Sequence, residues 1–264
     1  MSETEPSLTI RIHEGPAPTL VYLPGLHGDW GLIGAFRRAL AGRVRFVEAS
    51  YPRECGWDLD AHAAALTTVL RAKGVTRGWL LGQSFGSQVA WAVAHRGDFR
   101  IDGLILAGGF VSHPSPAGAR LMRFLLAHAP TSVLRGPMSL WVEAAARIMR
   151  RSPQTVAELR DFVHGRTDAD WDAAARRLGL MISARDPRPV ARAAHFPVHY
   201  LGGVVDPLVP WPLVLWWLRR NCPGYQGAKM LLLAGHNVLG SQPEASAARV
   251  LEWLKTETAE PAGR

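Results

Sequence analysis

Residues 79–86 read Trp79-Leu80-Leu81-Gly82-Gln83-Ser84-Phe85-Gly86, and the reading of this stretch decides the fold. An apolar run of strand length ends in a G-x-S-x-G pattern. An Ala- and Val-rich run of helical character, Ser87 to His95, follows it. A strand that turns this sharply into a helix holds its middle residue in strained backbone geometry, so the Ser84 hydroxyl stands clear. Side chains two positions to either side collide with such a turn, which demands Gly82 and Gly86. The helix start beside Ser84 aims its free amides at any negative charge that forms there. A glycine-rich turn with an incidental serine has the same five residues. The strand before and the helix after are the context that the nucleophile turn requires.

The same rhythm runs outward in both directions. Leu8 to His13 alternates apolar and polar residues like an edge strand. Thr19 to Leu23 reads as a buried strand ending at Pro24-Gly25. Trp30 to Ala41 has helical spacing, Val44 to Val47 is a strand, and Leu59 to Ala72 is a helix with Gly74 just past its end. Ile101 to Ala107 is a strand ending in Gly108-Gly109. Strands alternating with helices of this length imply a parallel sheet covered on both faces. From Val111 to about Ala194 the rhythm breaks into proline-punctuated helices: Ala117 to Ala127, Ser139 to Met149, Thr155 to Val163 and Ala169 to Met181. It resumes with a strand at Val198 to Leu201 and a helix after Pro210-Trp211-Pro212. A last strand at Lys229 to Leu233 and a closing helix at Pro243 to Lys255 complete the pattern.

Composition narrows the function. The chain has 264 residues, 48% hydrophobic and 20% charged, which suffices for a full core. Cys55 and Cys222 exclude a disulfide framework or a four-cysteine zinc module, and two free thiols in a reducing cytosol are the reading taken. The N-terminal residues lack the basic-then-apolar pattern of a secretory signal. The longest apolar stretch, Leu208 to Leu218, holds two prolines and falls short of the roughly 20 residues a bilayer span needs, so a cytoplasmic protein is expected. The net charge of +8 comes from 27 Arg and 3 Lys that are scattered, with no run of five, so nucleic acid is not an expected partner. Much of that charge lies in the 111–194 insert.

A serine hydroxyl is a poor nucleophile without a base. His236 is the candidate, on the loop after the last strand in Leu233-Ala234-Gly235-His236-Asn237. The other nine histidines read mostly as surface or insert residues. A base needs a carboxylate to fix its tautomer. Asp206 is the sole acid in the loop after the Val198 strand, although an Asx turn before Pro207 would account for it alone. Acyl transfer also needs oxyanion donors. One is the amide of Phe85, the residue after the nucleophile. The other comes from the loop after the Thr19 strand, where Leu26 is the choice and His27 or Gly28 the alternative register. Asp29 reads as the cap of a helix starting at Trp30. His27, Trp30, Phe110 and Trp141 are candidates for substrate contact. No metal-ligand pair and no phosphate-binding loop is present, so neither metal nor cofactor is expected.

These residues resemble the α/β-hydrolase family over nearly the whole chain. The resemblance implies an α/β fold: a mostly parallel eight-stranded sheet with helices on both faces, formed by residues 1–110 and 195–264. It makes residues 111–194 a helical cap over the site. It also implies a serine hydrolase acting on a small-molecule ester or thioester through Ser84, His236 and Asp206, with no cofactor, as a monomer or homodimer. Alternatives on the same triad are C–C bond hydrolysis, lyase or perhydrolase chemistry. A non-catalytic binding protein is a further alternative. Many relatives have His-Gly where this chain has Pro24-Gly25. The serine, in place of an aspartate, argues against the epoxide-hydrolase and dehalogenase branches. Leu121, Met122, Phe124, Leu125, Leu126, Ile148, Met149 and Trp171 either line an acyl pocket or pack the cap onto the body. The cap arginines either meet an anionic group or form a solvated face.

Overall fold

A computed structural model describes residues 7–53, 56–130, 133, 134, 136, 139, 140, 142, 143 and 153–258. Seven strands form one sheet: β1 (Thr9–His13), β2 (Thr19–Leu23), β3 (Arg45–Ser50), β4 (Arg77–Gln83), β5 (Arg100–Ala107), β6 (Val198–Gly203) and β7 (Tyr225–Leu231). Their order is β1-β3-β2-β4-β5-β6-β7. Only β1 runs antiparallel, pairing Thr9 with Ser50 and His13 with Phe46 on β3. Every other neighbour is parallel. An eighth strand is not found among the described residues.

The helices between the strands are α1 (Gly34–Leu40), α2 (Leu59–Ala72) and α3 (Gly86–Arg96). In the insert follow α4 (Pro116–His128), α5 (Pro153–His164), α6 (Asp168–Ser183) and α7 (Arg188–Arg192). The last three are α8 (Trp211–Asn221), α9 (Val238–Ser241) and α10 (Pro243–Thr258). Helix α2 coincides with its expected span and is capped by the Asp58 carboxylate, which accepts from the Ala61 amide.

Alternation along the strands builds two cores. Val21, Leu23, Leu80, Leu104 and Leu106 face α2, α3 and α8 on one side. Leu20, Tyr22, Trp79, Leu81 and Ile105 face α1 and α10 on the other. Both faces of β2, β4 and β5 are buried, as a parallel sheet between helix layers requires. Each fully buried apolar side chain contributes roughly 1.5–3 kcal/mol.

Three expectations shift. Helix α1 starts at Gly34 and not at Trp30, with Ile33 at its cap position, because Asp29 is engaged elsewhere. Strand β7 ends at Leu231, and Leu232 and Leu233 are exposed: their apolar run extends into a loop that no helix covers. His62 and His199 are buried in the core, where aromatic rings surround them. Cys222 is a buried free thiol, and Cys55 lies outside the described residues.

Candidate active site

The strand-to-helix turn after β4 has the strain that its sequence implies. Ser84 has φ of 50°, the one non-glycine residue with positive φ among those described. Its amide donates to the Ala107 carbonyl at 3.1 Å, and its carbonyl accepts from the Ser87 amide and hydroxyl at 3.0 and 2.6 Å. A Cβ at Gly82 would lie 2.8 Å from the Ser87 Cα, and one at Gly86 would strike the Leu23 carbonyl. Helix α3 can press its first turn onto β2 only with glycine there.

Asp206 and His236 come together from the loops after β6 and β7. His236 Nδ1 donates to Asp206 Oδ2 at 2.8 Å. The other carboxylate oxygen accepts from the Leu208 and Val209 amides at 2.8 and 3.0 Å. Burial pushes the Asp206 carboxyl up. The His236 hydrogen bond and charge and those two amides outweigh it and hold the group below the ordinary carboxylate range. A carboxylate can only accept, so His236 carries its proton on Nδ1 and leaves Nε2 as the basic nitrogen.

Ser84 and His236 are not hydrogen-bonded to each other in this structure. They meet through their neighbours. The Gln83 amide donates to Asn237 Oδ1 at 2.9 Å, and the Tyr22 hydroxyl donates to Gln83 Oε1 at 2.5 Å. Residues 83 and 237 flank the serine and the histidine, so this half-buried pair fixes the nucleophile turn against the histidine loop. Gly108 lies against the histidine, where a Cβ would be 3.0 Å from the His236 carbonyl oxygen and 3.4 Å from Nδ1. Catalytic hydrogen bonds are commonly loose without substrate and tighten with it.

The loop after β2 abuts the serine: a Cβ on Gly25 would sit 3.5 Å from the Ser84 Cβ. It forms a tight turn, closed by the Gly28 amide to the Gly25 carbonyl at 3.0 Å. The carbonyls of the turn are consumed from outside. Leu26 O accepts from Arg177 Nη1 at 2.7 Å, and Gly28 O accepts from the Tyr51 amide at 2.8 Å. Among the described residues, the amides of Leu26 and Phe85 have no protein acceptor. Asp29 takes the Gly31 amide at 2.9 Å and Arg166 at 2.8 Å.

Arg166 and Arg177 both come from the insert and both are buried, Arg177 to 3% exposure. The Arg177 guanidinium lies over Gly28: a Cβ there would fall 2.6 Å from its Cζ, and φ of +80° also favours glycine. No spacing in the sequence links positions 26–29 to 166 and 177, so the reading from residues missed this grip. Gln83 and Asn237 were equally unmarked, although each adjoins a triad candidate.

The substrate-contact candidates have varied surroundings. The His27 ring stands edge-on to Phe162 and Trp171 of the insert, at 4.7 and 5.8 Å between centroids. Burial, then the Arg166 charge, brings its pKa down to about 4. Trp30 carries the Arg11 guanidinium over its ring at 4.1 Å. Phe110 is buried, edge-on to His113, and its amide donates to the Ser87 hydroxyl at 3.1 Å. Trp141, Ile148 and Met149 lie outside the described residues. Leu121, Met122, Phe124 and Leu125 are exposed on α4, and Trp171 is buried. No group of three or more metal-ligating side chains occurs among the described residues. No helix there is long and apolar enough to cross a membrane.

Comparison with known proteins places this architecture. A profile described as the alpha/beta hydrolase family matches residues 20–249, and the chain belongs to that family. No curated protein sequence matches it. Its fold is that of a thermophilic esterase from Thermogutta terrifontis, with TM-score 0.74 and 22% identity over 95% of this chain and 93% of that one. An enol-lactonase from Burkholderia xenovorans aligns with TM-score 0.70 and 22% identity, covering 94% and 96%. MenH from S. aureus aligns with TM-score 0.73 and 17% identity, covering 94% and 98%.

Proposed function

We propose that this protein is a serine hydrolase that cleaves a carboxylic ester or thioester through an acyl-enzyme. The observation that carries the reading is the bond from His236 Nδ1 to a buried, doubly amide-bound Asp206, beside a serine held at positive φ. Two unspent amides at Leu26 and Phe85 flank that serine.

His236 Nε2 takes the Ser84 proton as Oγ bonds to the carbonyl carbon. The oxyanion accepts from the Leu26 and Phe85 amides, in the low-dielectric setting where such donors count most. The tetrahedral adduct collapses, the carbon–oxygen or carbon–sulfur bond breaks, and His236 returns its proton to the leaving group. Water then gives a proton to His236 and attacks the acyl-enzyme. The acid departs, and Ser84 regains its proton. Asp206 holds the imidazole tautomer and balances the imidazolium charge. The 111–194 segment acts as a cap whose arginines hold the oxyanion loop in register. His27 adjoins the proposed donor Leu26, and Phe110 reaches the nucleophile turn through its amide on the Ser87 hydroxyl, so these two are the preferred substrate-contact candidates.

The test is an acyl-chain series of p-nitrophenyl esters and the matching thioesters, with Ser84→Ala as control. Wild type turns over at least one member. Ser84→Ala falls by about 10⁶-fold with unchanged circular dichroism. A fluorophosphonate probe labels Ser84 in wild type. Activity in the alanine variant, or no label on Ser84, defeats the proposal. Turnover of a C–C substrate or of peroxide with esters untouched would move it to another reaction on the same residues.

A further inference from the structure

A cavity of about 290 Å³ lies between Pro52, Arg53, Gly56, Trp57 and His62 of the core and insert helices α4 and α6. Arg53, Arg123, Arg176 and Arg177 line it, and no carboxylate does among the described residues. Four guanidinium groups around so small a space repel one another unless negative charge is near. Two of them are already engaged. Arg53 Nε pairs with Asp170 at 2.9 Å, and Arg177 donates to the Leu26 and Pro52 carbonyls at 2.7 and 2.9 Å. Arg123 and Arg176 have no carboxylate partner among the described residues. Arg176 donates to the Arg53 carbonyl at 3.0 Å, and Arg123 crosses over Gly179, where a Cβ would be 3.3 Å from its Nε.

A second feature of the same wall is His62, buried to 1% exposure. Its Nδ1 bonds the Asp58 carbonyl at 2.7 Å, so Nε2 is the acceptor of the neutral ring, and Nε2 has no partner. Tyr51, Trp57 and Phe85 stand edge-on to this ring, so His62 is an apolar-packed part of the wall and the arginines supply its polar groups. The cavity therefore offers two guanidinium groups with no carboxylate partner among the described residues, suited to paired anionic oxygens, with one Arg176 nitrogen already on the Arg53 carbonyl. Phosphate and carboxylate groups both present such paired oxygens.

We propose that this cleft is a binding site for the carboxylate or phosphate group of a small molecule, gripped by Arg123 and Arg176. The binding claim stands apart from the hydrolase reading. The further claim, that the anion is the free end of the ester substrate, rests on that reading. Arg177 gives it a physical route, since the same guanidinium lines the cleft and holds the Leu26 carbonyl.

Calorimetric titration of wild type with inorganic phosphate and with succinate tests the first claim, against the double variant Arg123→Gln/Arg176→Gln. Both side chains are exposed, so the fold tolerates the change. Saturable binding of at least one anion, weakened about tenfold or more in the variant, is the expected result. Absent binding to wild type, or equal binding to both proteins, overturns it. Hydrolysis of p-nitrophenyl butyrate and of mono-p-nitrophenyl succinate separates the sources. A loss of about tenfold in kcat/KM for the anionic ester alone assigns the site to the substrate. Loss of phosphate or succinate binding with both esters unaffected assigns it to a separate anion. Wild type that binds the anions and cleaves neither ester retains the cleft and removes the hydrolase reading.

Discussion

Asp206 shows how one side chain is asked to do two structural jobs at once. One oxygen receives His236, while the other receives two amides of its own loop. The Asx turn and the catalytic carboxylate are competing readings of Asp-Pro in the sequence, and the geometry combines the turn's amide bonds with a bond to His236. Asp206→Asn keeps an oxygen for the amides and places an NH₂ or a neutral oxygen against the ring. The imidazole then loses the charge that fixes its tautomer, and kcat falls by about 10⁴-fold with little change in melting temperature. Stopped assays of the best ester from the acyl series measure this; a loss below tenfold would remove Asp206 from the proposed triad. Ser84 and His236 were legible because each sits at the end of an apolar strand run. Gln83, Asn237, Arg166 and Arg177 were not, because their partners are set by tertiary contact and nothing in local sequence marks it.

Elements were legible where periodicity was long and punctuated. Helix α2 has both an Asp cap and a trailing glycine, and its limits agree with the reading from sequence. Strand β7 and helix α1 lacked such marks. Apolar character alone carried β7 too far, into Leu232 and Leu233, and a polar residue at 29 was taken for a cap. The implied eighth strand has no counterpart among the described residues, since number of strands came from resemblance rather than from residues. The packing of α3 against β2 rests on Gly86. Gly86→Ala forces the helix start away from the Leu23 carbonyl and lowers stability by about 1–3 kcal/mol, the usual cost of overpacking. Denaturant titration should show a lower midpoint at unchanged slope. A midpoint equal to wild type would mean that the turn relaxes freely, contrary to the contact described.

At the level of the whole molecule, the buried histidines link folding to acidity. His199 is stacked against Trp253 at 4.5 Å and Trp79 at 6.0 Å between centroids, and neither of its nitrogens has a partner. Burial, then the Arg249 charge, brings its pKa down to about 4. His62 is likewise brought down to about 4, by burial first and the Arg177 charge after it. Both titrate near 6.5 when unfolded. As pH falls below that value the unfolded chain takes up protons that the folded chain refuses, so stability declines between about 6.5 and 4 and is fully present above. His199→Phe keeps the stack and removes one of these protonation sites. At pH 5 it should lose about 2 kcal/mol less, relative to pH 7, than wild type does. Parallel pH dependence of the two proteins' melting curves would show that His199 is not a source of the decline.

The turn that offers the Leu26 amide is finished by side chains that enter the chain about 140 residues later, as the separation of Asp29 and Arg166 records. If the helical segment is the cap proposed above, its laboratory exchange between relatives is a way to alter substrate range, and in this family member it would carry a hidden cost. A donor segment chosen only for its apolar lining would arrive without the two guanidinium braces, leaving the Leu26 carbonyl without Arg177 and the Asp29 carboxylate without Arg166. Grafting therefore has to respect positions 166 and 177 before any attention is given to the pocket itself.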